Sequence, residues 1–193
     1  MPRRQPLTLL TIAAVLLVVA GAPAQAREAR EPKPQPAVSA TDVAQRIHKL
    51  VNAERKKHGL PALVWDVALA RIATNHSRDM SKRNYLAHDS PEGHGLDHRY
   101  RHGGYICEIR VGRIIHTGAE NIALGRLYNS VTTKNGVAYY DWNSPQAIAH
   151  KSVEGWMRST RHRENILAPH WRRQGIGVEI GPDNQMYITQ NFC

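Results

Sequence analysis

Several features common in exported enzymes are missing from this 193-residue chain. It has two cysteines and a single phenylalanine, and its 16 acidic residues are outnumbered by 26 Lys and Arg. No Gly-x-Ser-x-Gly, no His-Glu-x-x-His, no Cys-x-x-Cys and no phosphate-cradling glycine loop is present. These absences exclude the common serine hydrolase, zincin, dithiol oxidoreductase and nucleotide-binding signatures.

The sequence also contains a single long apolar run. Leu7 to Ala22 is interrupted by two threonines and a glycine, follows two arginines and precedes Ala24-Gln25-Ala26. This pattern predicts a signal peptide over residues 1–26, with an uncleaved membrane anchor as the alternative. A proline-rich linker is predicted over 27–40 and one folded domain over 41–193. The expected location is secreted, extracellular or periplasmic.

The two cysteines, Cys107 and Cys193, would meet an oxidising compartment after export. A disulfide between them is one expectation, worth about 4 kcal/mol in the chain-entropy model. Two unpaired thiols are the alternative, since sequence alone fixes no geometry.

The charge of the chain favours anionic partners. Without the signal arginines Arg3 and Arg4, 24 basic residues face 16 acidic ones, a formal charge of +8. The basic residues are scattered and form no nucleic-acid motif, so nucleic acid is not an expected partner. An anionic envelope polymer remains possible as a partner.

Periodicity predicts a mixture of helices and locally paired strands. Helices are expected over about 42–58, with Arg55 on its polar face, and from a cap at Asp66 to near Arg83. A further helix should follow the cap Ser144. Hairpins are expected at Asn135-Gly136 and over 176–192. The sequence therefore predicts an α+β domain whose sheet is mainly antiparallel.

Histidines are abundant, with eleven in the chain. His76 falls on an apolar stripe, where a satisfied, half-buried ring is expected. His98 and His102 should share one face of a short helix over 96–102. Histidines at that spacing can share a metal, but a polar surface turn explains them equally well.

Three polar residues in turn-rich settings are the candidates for chemistry: His88, Glu120 and His162. Two imidazoles and a carboxylate can bind Zn²⁺ or exchange protons. The structural alternative has Glu120 accepting backbone N–H bonds, His162 in the first turn of a short helix, and His88 in an ordinary loop.

Five motifs in order resemble one family. They are Val51-Asn52-Ala53-Glu54-Arg55 with His58-Gly59-Leu60-Pro61-Ala62-Leu63 and Trp65-Asp66; His88 with Ser90-Pro91; Glu120-Asn121-Ile122-Ala123; Trp156-Met157-Arg158-Ser159 with His162-Arg163 and Asn165-Ile166-Leu167; and Gly175-Ile176-Gly177-Val178 with Tyr187-Ile188-Thr189-Gln190-Asn191-Phe192. The chain resembles the CAP superfamily of cysteine-rich secretory, antigen 5 and pathogenesis-related proteins, most closely its bacterial SCP-like extracellular branch.

The resemblance implies a three-layer α-β-α sandwich whose central cleft is lined by two histidines and two acids. His88, Glu120 and His162 match three of these positions, and Ser159 replaces the second acid. The first expectation is a non-catalytic binding module for a small ligand, a lipid or a divalent metal. The metal would be Zn²⁺, with His88 and His162 as its ligands.

Two other functions remain open at this point. One is an extracellular hydrolase of envelope peptide or ester bonds with Glu120 as base. The other is a basic adhesion module for anionic envelope polymers.

Overall fold

The computed structural model describes residues 32–193. The predicted signal peptide and the first part of the predicted linker lie outside these residues. Residues 32–39 carry no regular secondary structure. Within the described range, no helix is both long and apolar enough to cross a membrane.

The domain contains five α-helices and eight β-strands in residues 32–193, with one short 3₁₀ turn at Pro182–Asn184. In chain order they are α1 (Ala40–Lys57), β1 (Val64–Trp65), α2 (Val67–Arg83), α3 (Leu96–His102), β2 (Ile109–Val111), β3 (Ile114–His116), β4 (Ala119–Arg126), β5 (Tyr128–Lys134), β6 (Val137–Trp142), α4 (Pro145–Arg158), α5 (Thr160–Leu167), β7 (Arg173–Ile180) and β8 (Gln185–Phe192).

The central sheet has the strand order β1-β7-β8-β4. Only the two-residue pairing of β1 with β7 is parallel, so the sheet is mainly antiparallel, as predicted. The hairpins β5–β6 and β7–β8 are those predicted from the turns. A third hairpin, β2–β3, follows Cys107.

Helices cover both faces of this sheet. On one face α2 packs on β7 and β8, and on the other α1 packs on β7 while α4 and α5 contact β4. The side chain of Gln174 contacts His48 of α1, whereas the neighbouring Gly175 faces α2. The three-layer sandwich implied by the resemblance is confirmed.

Two glycines in β7 determine how closely α2 approaches the sheet. A Cβ on Gly175 would lie 2.0 Å from the backbone N of Ala70, and one on Gly177 would lie 2.0 Å from that of Thr74. Such close approach requires residues without side chains. It places the inner face of α2, which includes the buried His76, directly over β7 and β8.

Two helix predictions need correction. Helix α1 begins at Ala40, earlier than predicted, because Ser39 caps it by accepting a hydrogen bond from the Asp42 N–H. Arg55 was expected on its polar face but is fully buried. Its guanidinium donates to the carbonyls of Pro61 (2.9 Å), Ile166 (2.7 Å) and Ala168 (3.0 Å), of which the last two lie at the C-terminal end of α5, where helix carbonyls need outside partners.

Gly155, exposed inside α4, offers a test of the helix. No atom lies within 4 Å of a Cβ built there, so Gly155→Ala should raise the free energy of unfolding by about 0.5–1 kcal/mol. Urea unfolding of the two proteins measures the difference. Gly177→Ala is the matched control and should destabilise, because its Cβ meets the backbone of Thr74. A loss of stability in Gly155→Ala would contradict the placement of Gly155 at an exposed, uncrowded position inside α4.

Candidate functional site

Glu120 is brought to the α2 side of the sheet by its place in β4. The strand begins at Ala119, opposite Phe192 of β8, and the preceding Gly118 has φ +124°. A Cβ on Gly118 would lie 2.7 Å from the Tyr100 ring, so glycine is required at this approach. The side chain of Glu120 is 3% exposed.

Both carboxylate oxygens of Glu120 are bound by side chains. Oε1 lies 2.9 Å from Nδ1 of His88, and Oε2 accepts a hydrogen bond of 2.7 Å from Nη2 of Arg99. Nε2 of the buried His76 lies 3.9 Å from Oε1. The structural alternative, in which Glu120 binds backbone N–H groups, is therefore not what the structure shows. Burial of the charge is compensated by a buried cation.

Arg99 also holds the backbone of the loop that carries His88. Its Nη1 donates to the carbonyl oxygens of His88 (2.8 Å) and His94 (3.0 Å). One guanidinium thus fixes the carboxylate and the adjoining loop together. Sequence reasoning missed Arg99 and the proximity of His76, because both reach Glu120 through contacts distant in sequence.

His88 presents its free edge to solvent. With Nδ1 turned to Glu120, the opposite nitrogen, Nε2, has no hydrogen-bond partner among residues 32–193, and the side chain is 55% exposed. The hydrogen bond to Glu120 raises the pKa of His88, and desolvation opposes that rise. The tautomer of the ring is set by Glu120.

His162 reaches the site from the opposite helical layer. It lies in the first turn of α5, as the sequence predicted, and is half-buried. Burial lowers its pKa, and the nearby charge of His88 lowers it further. The ring is therefore mainly neutral at neutral pH, the form in which imidazole binds a metal.

Buried amides hold α5 against β4. Asn165 donates to the Glu120 carbonyl (3.2 Å) and to Oδ1 of Asn121 (2.9 Å), while Nδ2 of Asn121 donates to the His162 carbonyl (3.2 Å). The network continues through Gln190 to Gln174 and then to His48 of α1. Because loss of any of these bonds would leave a polar group inside the domain without its partner, the network holds the backbone of His162 in place relative to Glu120.

Ser159 lies at the junction of α4 and α5, where its side chain makes no capping hydrogen bond. With His162 it lines a groove of about 390 Å³ between α4 and β4, whose wall is largely apolar and includes Ile122, Leu124 and Trp156. His88 and Glu120 do not line this groove. Ser159 thus shares a surface with His162, and the structure gives it no contact with Glu120.

The metal prediction meets an incomplete ligand set. Within residues 32–193 no group of three or more His, Cys, Asp or Glu side chains is arranged to hold an ion. What remains is His88, oriented by a carboxylate, and His162, which lies close enough for the charge of His88 to lower its pKa. Such a pair fits an ion that keeps other positions for water or a ligand.

Comparisons with known proteins agree with this architecture. The family described as "CAP: Cysteine-rich secretory protein family" matches residues 48–192. Among curated proteins of Bacillus subtilis, the membrane protein YlbC is 34% identical over 79% of this chain and 34% of its own length. The protein YkwD is 32% identical over 83% of this chain and 51% of its own. The chain thus spans between a third and about half of these relatives.

Solved structures also resemble this chain in fold. An extracellular protein of Bacillus anthracis containing an SCP domain is 28% identical, with a TM-score of 0.57 over 81% of this chain and 44% of that one. A cysteine-rich secretory protein of Staphylococcus aureus has a TM-score of 0.54 at 18% identity, over 83% of this chain and 40% of that one, and shares the fold. The matched residues, the sandwich and these similarities agree, and the chain belongs to the cysteine-rich secretory protein (CAP) family.

Proposed function

We propose that this CAP-domain protein is secreted and acts as a non-catalytic binding module, with a cleft between His88 and His162 that takes a divalent metal ion, Zn²⁺ first, or a small ligand. The carrying observation is the 2.9 Å contact between Nδ1 of His88 and Glu120. Export is supported by the N-terminal sequence pattern and by the similarity to an extracellular protein of Bacillus anthracis.

Glu120 serves in this proposal as an orienting group. A carboxylate bound to one ring nitrogen fixes the imidazole and makes the other nitrogen a better donor to a metal. In His88 that second nitrogen faces solvent. Arg99 holds Glu120 in place from the other side. A bound ion would supply Lewis acidity and open coordination positions.

The same contacts weigh against the hydrolase alternative. A general base needs a carboxylate oxygen within reach of substrate or water. Both oxygens of Glu120 are bound and the side chain is almost fully buried. If the hydrolase alternative holds, turnover of a peptide or ester library should be found and should disappear in Glu120→Gln.

Zinc calorimetry on residues 27–193 tests the proposed site. We expect binding that weakens at least about tenfold, 1.4 kcal/mol, in His88→Ala and in His162→Ala. His150→Ala is the matched control, since this exposed histidine lies on α4 away from the cleft. Equal affinity in all four proteins would refute the metal site.

The pH dependence gives a second readout. The raised pKa of His88 means that a proton competes with the metal for this ring, so zinc affinity should increase from about pH 6 to about pH 8. In His88→Ala most of that increase should vanish. An unchanged pH profile would mean that zinc binds elsewhere.

A further inference from the structure

A row of three histidines outside the cleft lines a separate groove. His94, His98 and His102 border a cavity of about 540 Å³ between α2 and the segment from Ser90 to Gly103. The helix predicted over 96–102 is confirmed as α3. None of the three rings is hydrogen-bonded to Glu120 or His162, while Arg99 and the buried His76 line this groove and also lie against Glu120.

The geometry of the rings does not suit a shared metal. The ring centroids of His94 and His98 lie 3.8 Å apart, and those of His98 and His102 lie 6.0 Å apart, with 9° between the planes in each pair. A metal must lie in the plane of each ring it binds, and parallel, stacked planes do not converge on one ion. The stacked rings instead lie side by side along the groove.

Other charges facing the groove nearly cancel. Helix α2 contributes Arg71, Asp79 and Arg83, and the loop contributes Glu92. Arg83 binds both acids, and the one negative charge left over is balanced by the positive charge of Arg71.

On α3, the positive charge of Arg99 is balanced by Glu120. The remaining titratable group facing the groove is the buried His76, bonded to the Ala87 carbonyl. Asp97 and Arg101 line a different pocket.

The balance of charge therefore depends on the three imidazoles. Each of these imidazoles adds one positive charge to the otherwise balanced groove when it is protonated. Lost hydration, and then the like charges of His94 and His102, lower the pKa of His98. An anion bound in the groove relieves this repulsion and favours protonation of the rings.

We propose that this histidine groove is a pH-gated binding site for a linear, phosphate-bearing polyanion. Imidazolium and guanidinium donors form strong, charge-assisted hydrogen bonds with phosphate oxygens. Rings whose centroids lie 3.8 and 6.0 Å apart along a row match successive groups of a chain better than one ion. Arg71, which uses Nη2 to bind the Gly103 carbonyl, adds a permanent positive charge at this wall.

Binding of sodium polyphosphate to residues 27–193, with chelator present to remove metals, tests the proposal. We expect the affinity to be at least about 30-fold higher at about pH 5.5 than at about pH 7.5. The triple variant His94→Gln, His98→Gln, His102→Gln should lose most of this gain. Inorganic phosphate should bind far more weakly than the polymer.

A control separates this groove from the overall charge. His150→Gln, which removes an exposed histidine elsewhere, should keep the gain in acid. Arg71→Gln should weaken binding at both pH values. Equal pH dependence in the triple variant and the parent protein would assign the effect to net charge and overturn the proposal. Absence of polyphosphate binding at the lower pH would also overturn it.

Discussion

Loss of the Cys107–Cys193 disulfide is expected to lower the free energy of unfolding by about 4.5 kcal/mol, because the unfolded chain regains the entropy that closing a loop of this size removes. The two cysteines are bonded across 86 residues, with their Cα atoms 5.6 Å apart. The pairing left open by the sequence is thus the one in the structure. A long closed loop restricts the unfolded chain more than a short one, and this effect grows slowly with loop length.

Both ends of this bond are fixed in the fold. Cys107 belongs to the buried core, and the backbone of Cys193 pairs with that of Arg173 (N to O, 3.0 Å) beside the central sheet. Between Cys107 and the start of β4 runs the hairpin β2–β3, which exposes Val111, Ile114 and Ile115. The bond ties this segment to the sheet strand that lies next to Glu120.

Urea unfolding of Cys107→Ala/Cys193→Ala against the oxidised parent measures the loss. Reductant should bring the parent close to the stability of the double variant and leave the variant unchanged, because the variant has no bond to reduce. A difference below about 1 kcal/mol between oxidised parent and variant would contradict the expected contribution.

Local patterns predicted much of the fold. Alternating Ile176, Val178 and Ile180 followed by a Gly-Pro-Asp-Asn turn identified the β7–β8 hairpin, and the repeat ending at Met80 identified α2. These signals are local because strand alternation and helical periodicity depend on neighbours in the chain. The stacking order of the layers came from the family resemblance.

Long-range contacts explain what the sequence did not reveal. Arg55 reads as a surface cation in the pattern of α1, yet its partners Ile166 and Ala168 lie more than a hundred residues away. Gly175 and Gly177 read as ordinary strand glycines, and only the approach of α2 shows why a side chain cannot fit there. Such roles are fixed by packing and leave no local signal.

At the candidate site, too, the sequence predicted some residues, while others act through contacts that only the fold creates. The resemblance identified His88, Glu120 and His162, and the structure brings His88 and Glu120 into contact. It did not identify Arg99, whose guanidinium binds Oε2 of Glu120 and balances the buried charge of the carboxylate. It placed Ser159 in one cleft with the other three residues, and in the structure Ser159 lines a groove with His162 that His88 and Glu120 do not line.

Replacement of Arg99 with methionine is expected to lower the free energy of unfolding by about 3–5 kcal/mol. Methionine preserves most of the length of the side chain but leaves the carboxylate of Glu120, 3% exposed, without its guanidinium partner. It also frees the carbonyl oxygens of His88 and His94. Chemical unfolding of the two proteins gives the difference.

A double-mutant cycle isolates the ion pair from the loss of packing. Arg99→Met combined with Glu120→Gln should be more stable than Arg99→Met alone, because the second substitution removes the uncompensated charge. If the two effects simply add, the charge of Glu120 is not what makes Arg99 necessary. Arg99→Lys, a matched control, keeps the charge but loses the fork of donors and should fall between parent and methionine variant.

The same variant connects stability to the proposed binding function through the protonation of His88. Glu120 raises the pKa of His88 and the charge of Arg99 opposes that rise. Arg99→Met should therefore raise this pKa further, whereas Glu120→Gln should lower it, and NMR titration of the ring distinguishes the two. Since a proton and a metal compete for His88, zinc affinity at neutral pH should fall in Arg99→Met even where the protein remains folded. Unchanged zinc affinity together with a shifted His88 pKa would show that the metal does not use this ring.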